Sequence, residues 1–176
     1  MKKVIAWSVL SFAVLACTQN QKPAEAPSKN AEAKAQFEKN LATLKAGISA
    51  FENEQIDQWA ASVADNAVWN SPAYGSPAGT KDDWKKALSF YLANWDSLKL
   101  KNAMFLPGID SATNEPDGSV RYYGQWIGVH KSGVKTSLSF YATYEFNKEN
   151  KITEAAEFFD LGGMMNAVAA KGTKAK

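Results

Sequence analysis

Residues 147–163 read NKENKITEAAEFFDLGG. A polar turn, Asn147 to Asn150, leads into Ile152–Phe159, where apolar and polar residues alternate as in a strand leaving a hairpin. Its partner is the run in which Leu138, Phe140, Ala142, Tyr144 and Phe146 share one face. If Phe146 pairs with Lys151, then Thr153, Ala155, Glu157 and Phe159 join the face of Phe140, Ala142 and Tyr144. Glu157 then faces any enclosed space, and Asp160 lies at its edge, pointing away. A bulge of one residue inverts everything beyond it and turns Asp160 inward. The residues alone leave both registers open.

Upstream, Val120, Tyr122, Gly124, Trp126, Gly128 and His130 share one strand face. Lys131-Ser132-Gly133 is a tight turn, with Gly133 supplying the left-handed residue. Before it, Leu98, Leu100, Asn102, Met104 and Leu106 alternate with Lys99, Lys101, Ala103 and Phe105, and residues 107–118 read as a long polar loop. On the opposite sheet face lie Tyr123, Gln125, Tyr141, Thr143 and Glu145, a half-polar set suited to solvent or to a second subunit. Arg121 alternates with the inward residues and is expected outward.

The first half has helical spacing. Phe37, Leu41, Leu44, Ile48 and Phe51 recur every three or four residues, and a shorter helix carries Ile56, Trp59, Ala60 and Val63. Val68-Trp69-Asn70 suggests a short strand, and SPAYGSPAG, residues 71–79, a loop. Thr80 with Asp83 forms a capping box for a helix bearing Trp84, Leu88, Tyr91 and Trp95. Helices first and an antiparallel meander after them predict an α+β fold, with helices on one sheet face.

The termini carry an address. Lys2 and Lys3 precede an apolar run, Val4 to Ala16, the pattern of a signal peptide too short to span a bilayer as a stable anchor. Val14-Leu15-Ala16-Cys17 resembles the bacterial lipoprotein box. That resemblance implies cleavage after residue 16, lipid on Cys17 and attachment to an envelope membrane. An ordinary signal peptide with an incidental cysteine is the alternative. Thr18 lacks the Asp that often retains lipoproteins at the inner membrane, so the outer membrane is expected. Residues 17–34 read as lipidated Cys and tether, 35–170 as one domain and 171–176 as a basic tail. Cys17 is the chain's one cysteine, which excludes disulfides within the monomer, thiol catalysis and Cys-ligated metal in the domain. Loss of Lys2 and Lys3 leaves equal numbers of acidic and basic residues, and Arg121 is the one arginine. Nucleic-acid binding is excluded on that charge balance. A single His argues against zinc, and no cofactor is expected.

Three segments carry a wider resemblance: FENEQIDQWAASVADNAVWNSP (51–72), the hairpin containing Trp126, and NKENKITEAAEFFDLGGMMNAV (147–168). In order, over residues 35–168, they resemble the nuclear-transport-factor-2-like superfamily and its SnoaL-like branch. The fold this implies is a cone: a curved antiparallel sheet wrapped by N-terminal helices around an apolar pocket, often dimerised through the outer sheet face. Members include isomerases, dehydratases, cyclases and proteins without activity. An ungapped alignment puts Gly47, Ser71 and Ala142 where the ketosteroid isomerases carry a Tyr and two carboxyl groups, so a copy of that chemistry is rejected. Asp160 matches the aspartate base of the SnoaL-type cyclases, which favours an inward Asp160. Asn166 stands where relatives often have Gln.

The pocket expected from these readings is lined by Tyr122, Trp126, Phe140, Tyr144, Glu157 and Phe159, with Tyr74 able to close over it. Trp59, Trp84 and Trp95 are read as core. A carboxylate in such a pocket has its pKa raised by burial and suits proton transfer near neutral pH. Asp160 can instead cap the C-terminal helical segment, and His130 can be either an acid/base partner or a rim residue. The leading expectation is a lipid-anchored domain outside the cytoplasm that binds a small apolar or aromatic molecule. The alternatives are a SnoaL-like proton-transfer enzyme using Asp160 and His130, and an assembly module or homodimer built on the outer sheet face.

Overall fold

The computed structural model describes residues 29–173. The leader, Cys17, most of the tether and the end of the basic tail lie outside the described residues. Four helices, α1 (Lys29–Glu52), α2 (Ile56–Ala61), α3 (Lys81–Asn94) and α4 (Leu161–Thr173), accompany six strands. These are β1 (Val63–Asn70), β2 (Gly79–Thr80), β3 (Trp95–Ile109), β4 (Pro116–His130), β5 (Lys135–Phe146) and β6 (Ile152–Phe158). α1 begins inside the stretch read as tether, where Ala31, Ala33 and Ala35 favour helix. Likewise α4 runs into the tail, and Lys171 Nζ donates to the Gly133 carbonyl at 2.9 Å.

The strands form one sheet in the order β2-β1-β6-β5-β4-β3. Helices α1 and α3 pack on one face of it, α1 across β3 and β4 and α3 against β1. Every ladder is antiparallel except β1–β6, which is parallel. α3 starts on the expected capping box, Thr80 and Asp83 exchanging hydrogen bonds. Val63, expected on the helix face, instead opens β1 and is fully buried.

β3 departs from unbroken alternation. Its pairing with β4 slips between Asp96 and Lys99 and between Lys101 and Met104, where Ser97 (φ 57°) and Asn102 (φ 53°) adopt left-handed backbone. Asn tolerates that region because its short amide can bond locally. Each bulge adds one residue to β3, bends the strand and inverts its faces. Phe105 therefore packs inward on Tyr122, ring centroids 5.6 Å apart, while Met104 and Leu106 are exposed. The expected loop 107–118 shrinks to the residues between Ile109 and Pro116, because Pro107 pairs with Val120.

The register question posed by residues 147–163 has a specific answer. Phe146 pairs with Ile152, and after a one-residue slip Tyr144 faces Ala155 and Ala142 faces Glu157. The turn and the slip together displace the ladder by two residues relative to a Phe146–Lys151 pairing. An even displacement preserves side-chain parity. Ile152, Ala155 and Glu157 are buried, and Phe158 is exposed.

Candidate functional site

Between the helices and the concave sheet face lies a cavity of about 90 Å³. Leu44 and Phe51 of α1, Trp59 of α2, and Trp84, Leu88 and Tyr91 of α3 form its helical side. Tyr122 and Trp126 of β4, Phe140 and Tyr144 of β5, Glu157 of β6 and Phe159 just after it form the sheet side. Rings stack in series across this wall. Trp69 lies against Trp84, Trp84 against Tyr144, Tyr144 against Tyr122, Tyr122 against Phe140 and Phe140 against Phe159, all within 6.3 Å and 24°.

Glu157 is the carboxylate in this aromatic enclosure, 8% exposed. Its Oε2 accepts the Trp69 indole N–H and its Oε1 the Trp84 indole N–H, each at 3.2 Å. An indole only donates, so both contacts suit an acceptor and the ionised form. Burial nonetheless outweighs them and pushes the Glu157 carboxyl up to about 7, and no positive charge contributes to its environment. Among the described residues, no Lys, Arg or His lines the cavity. A second, shallower cleft of about 290 Å³, bounded by Asn70, Ser71, Pro72 and Phe158, meets Glu157 from the β1–β6 end.

Two other polar groups belong to the wall. The Tyr122 hydroxyl oxygen accepts from Trp126 Nε1 at 3.0 Å and from the Tyr144 hydroxyl. Burial raises both phenols well above their ordinary range and holds them neutral. Tyr91, half-buried, is pushed up to about 12 by burial and then by the charge of Glu157. Trp95 Nε1 is a buried donor with no partner among the described residues. A buried unpaired donor costs on the order of 1–3 kcal/mol, so an acceptor arriving there would recover that energy.

Of the residues expected at the pocket, Tyr122, Trp126, Phe140, Tyr144, Glu157 and Phe159 line it. Tyr74 does not: its side chain is fully exposed on the loop after β1. Asp160 does not turn inward as the resemblance favoured. Even displacement of β6 points it outward, where its Oδ1 accepts the Gly163 N–H at 2.7 Å and its carbonyl accepts the Met164 N–H at 3.1 Å. It is the N-cap of α4, and a Cβ at Gly163 would collide with its carboxylate. His130 sits edge-on to Trp95 at 4.5 Å, away from Glu157's hydrogen bonds. Its Nδ1 accepts the Ser132 backbone N–H at 3.0 Å and lies 2.9 Å from the Ser132 hydroxyl. Asn166 is exposed. The sequence pattern presents Trp69 only as part of a strand, and Trp84 and Trp95 only as core. Their roles as polar handles were signalled in sequence only by the need of any buried indole for an acceptor.

No family model matches the sequence, and no curated protein matches it significantly. Solved structures do. A proposed polyketide cyclase from Xanthomonas campestris pv. campestris superposes with a TM-score of 0.62 at 15% identity, covering 76% of this chain and 98% of that one. A nuclear-transport-factor-2-like protein of unknown function from Burkholderia pseudomallei gives 0.58 at 15% identity, covering 74% and 97%. The chain has the nuclear-transport-factor-2-like fold. A third structure with this fold, the BvnE pinacolase from Penicillium brevicompactum, gives a TM-score of 0.61 at 13% identity, covering 79% and 98%. The cone of the nuclear-transport-factor-2-like fold accounts for the placement of the cavity between the sheet's concave wall and the helices.

Proposed function

We propose that this chain is a pocket domain that binds a small, mainly apolar or aromatic molecule, held at an envelope membrane by lipid on Cys17. The observation that carries the pocket reading is the cavity itself, walled by stacked aromatic rings with few polar groups. Sites of this make-up gain affinity from apolar burial and orientation from isolated polar groups. Titration with phenol or indole, followed by intrinsic tryptophan fluorescence and calorimetry, is expected to saturate. Trp126→Ala is expected to weaken the complex about tenfold with the fold retained. Absence of saturable binding by any small aromatic compound would overturn the reading. The membrane address is tested separately: Cys17→Ser is expected to release the protein from membranes and to abolish labelling by palmitate.

A second reading, proton-transfer catalysis, is favoured by a carboxyl pushed up to about 7 beside an enclosed apolar space. The names of the Xanthomonas and Penicillium proteins fit this class of chemistry. Here the acid/base group is Glu157, since Asp160 is occupied in capping. Outer-face dimerisation is supported by the stack of exposed Tyr123 and Phe158 with half-buried Tyr141 between them and is tested by sedimentation equilibrium.

A further inference from the structure

Glu157 is a buried carboxylate whose two oxygens both face indole donors and which no cationic side chain among the described residues neutralises. Proteins pair buried charges, because an isolated one costs several kcal/mol. Among the described residues, the helices and strands that line the cavity bring no Lys, Arg or His to Glu157. α3 offers Tyr91 and Trp84, β1 offers Trp69, β4 offers Tyr122 and β5 offers Tyr144. What surrounds the carboxylate instead is aromatic rings, and an aromatic π-face attracts a cation through its quadrupole. Each carboxylate oxygen also keeps a lone pair after its single indole bond.

We propose that the missing positive charge is brought by the guest: the cavity takes a small alkylammonium ion, with Glu157 as its counter-ion and the rings of Trp84, Tyr144 and Tyr122 as its aromatic cage. This rests on the pocket reading above and narrows the guest's chemistry. The volume of about 90 Å³ suits a compact, branched cation. The two indole donors then stabilise the ionised carboxylate that the cation pairs with, so one arrangement serves both. Bound cation lowers the proton affinity of Glu157, and binding near pH 7 therefore releases protons.

The test compares tetramethylammonium chloride with tert-butanol, a neutral compound of similar branched shape, at constant ionic strength and pH 8. Binding is read by calorimetry and tryptophan fluorescence. The cation is expected to bind at least tenfold more tightly. Glu157→Gln, checked for folding by near-ultraviolet circular dichroism, is expected to remove that preference, with a far larger loss of affinity for the cation than for tert-butanol. Should that variant not fold, the wild type decides. Cation affinity is expected to fall about tenfold or more from pH 8 to pH 5 as Glu157 takes up its proton, and tert-butanol affinity to change far less. Equal binding of both compounds, or cation binding indifferent to pH, overturns the counter-ion inference while the pocket reading stands. If neither binds and phenol and indole also fail, the pocket reading falls with it.

Discussion

The two faces of the sheet are built from the same strands with the same kinds of residue. On the concave face Tyr122, Tyr144 and Phe140 stack, and Glu157 stands among them. On the outer face Tyr123, Tyr141 and Phe158 stack at 4.7 and 5.4 Å, and Glu154 shares that face farther along β6, accepting from Asn70 Nδ2 at 3.1 Å. The aromatic ladders differ by one position along each strand. Only the helices make the difference. Under them Glu157 loses water and its proton affinity rises; Glu154, outside them, is exposed. Composition supplies a ladder and a carboxylate to both faces, and the cover decides which carboxylate can act on a guest.

The severest way to break this asymmetry is to open the cover. Trp84 is 1% exposed, packs against Trp59, Trp69 and Tyr144, and donates to Glu157. Trp84→Ala is expected to cost about 3–5 kcal/mol in urea unfolding, whereas the same change at Tyr141 on the outer face costs on the order of 0.5–1 kcal/mol.

Titration sharpens the contrast. The Glu157 carboxyl sits at about 7 in the folded chain against an ordinary value of 4.5, so the folded state binds its proton more tightly. That contribution is complete below about pH 4.5 and is lost as pH rises through about 7, a change of about 3 kcal/mol without guest. Glu145 is also shifted upward, chiefly by burial, and adds a slope of the same sign. Asp57, Asp65, Asp83 and Asp110 are shifted downward by their partners and act at lower pH. Subtracting the stability–pH curve of Glu157→Gln from that of the wild type is expected to isolate the Glu157 slope. A difference curve flat from pH 4.5 to 7 would show that the carboxylate is wetter than its surroundings imply.

A smaller effect separates Glu157 from Asp160. Asp160→Ala is expected to lower thermal stability by about 1 kcal/mol through loss of the α4 cap. It leaves guest affinity unchanged, because Asp160 is exposed and outside the cavity. A loss of affinity larger than the loss of stability would restore Asp160 to the site.

What the sequence disclosed follows the same division. The β4–β5 hairpin was legible because both strands alternate strictly and Gly133 (φ 79°) marks their turn. The face of α3 was legible from its spacing and its capping box. β3 was not, because its alternation reads as continuous across Asn102, and nothing local announces that Asn102 turns left-handed. The choice between Glu157 and Asp160 hung on the parity of a slip near Thr153, a property of two strands and not of one. The Glu157 partners were hidden for a further reason. Trp69 and Trp84 lie 88 and 73 residues away in sequence, and no window on the chain contains both ends of such a bond.

That separation bears on the order of folding. β1 and β6 are parallel neighbours, and all other strand pairs can form as hairpins or short returns. Closing a loop of this length is entropically expensive before any contact repays it. The β4–β5 hairpin is thus expected to appear early and the β1–β6 seam late. On a ribosome the seam must wait until β6 has emerged. The dry seat of Glu157 accordingly cannot exist during synthesis until nearly the whole domain has emerged, because its two walls come from opposite ends of the chain.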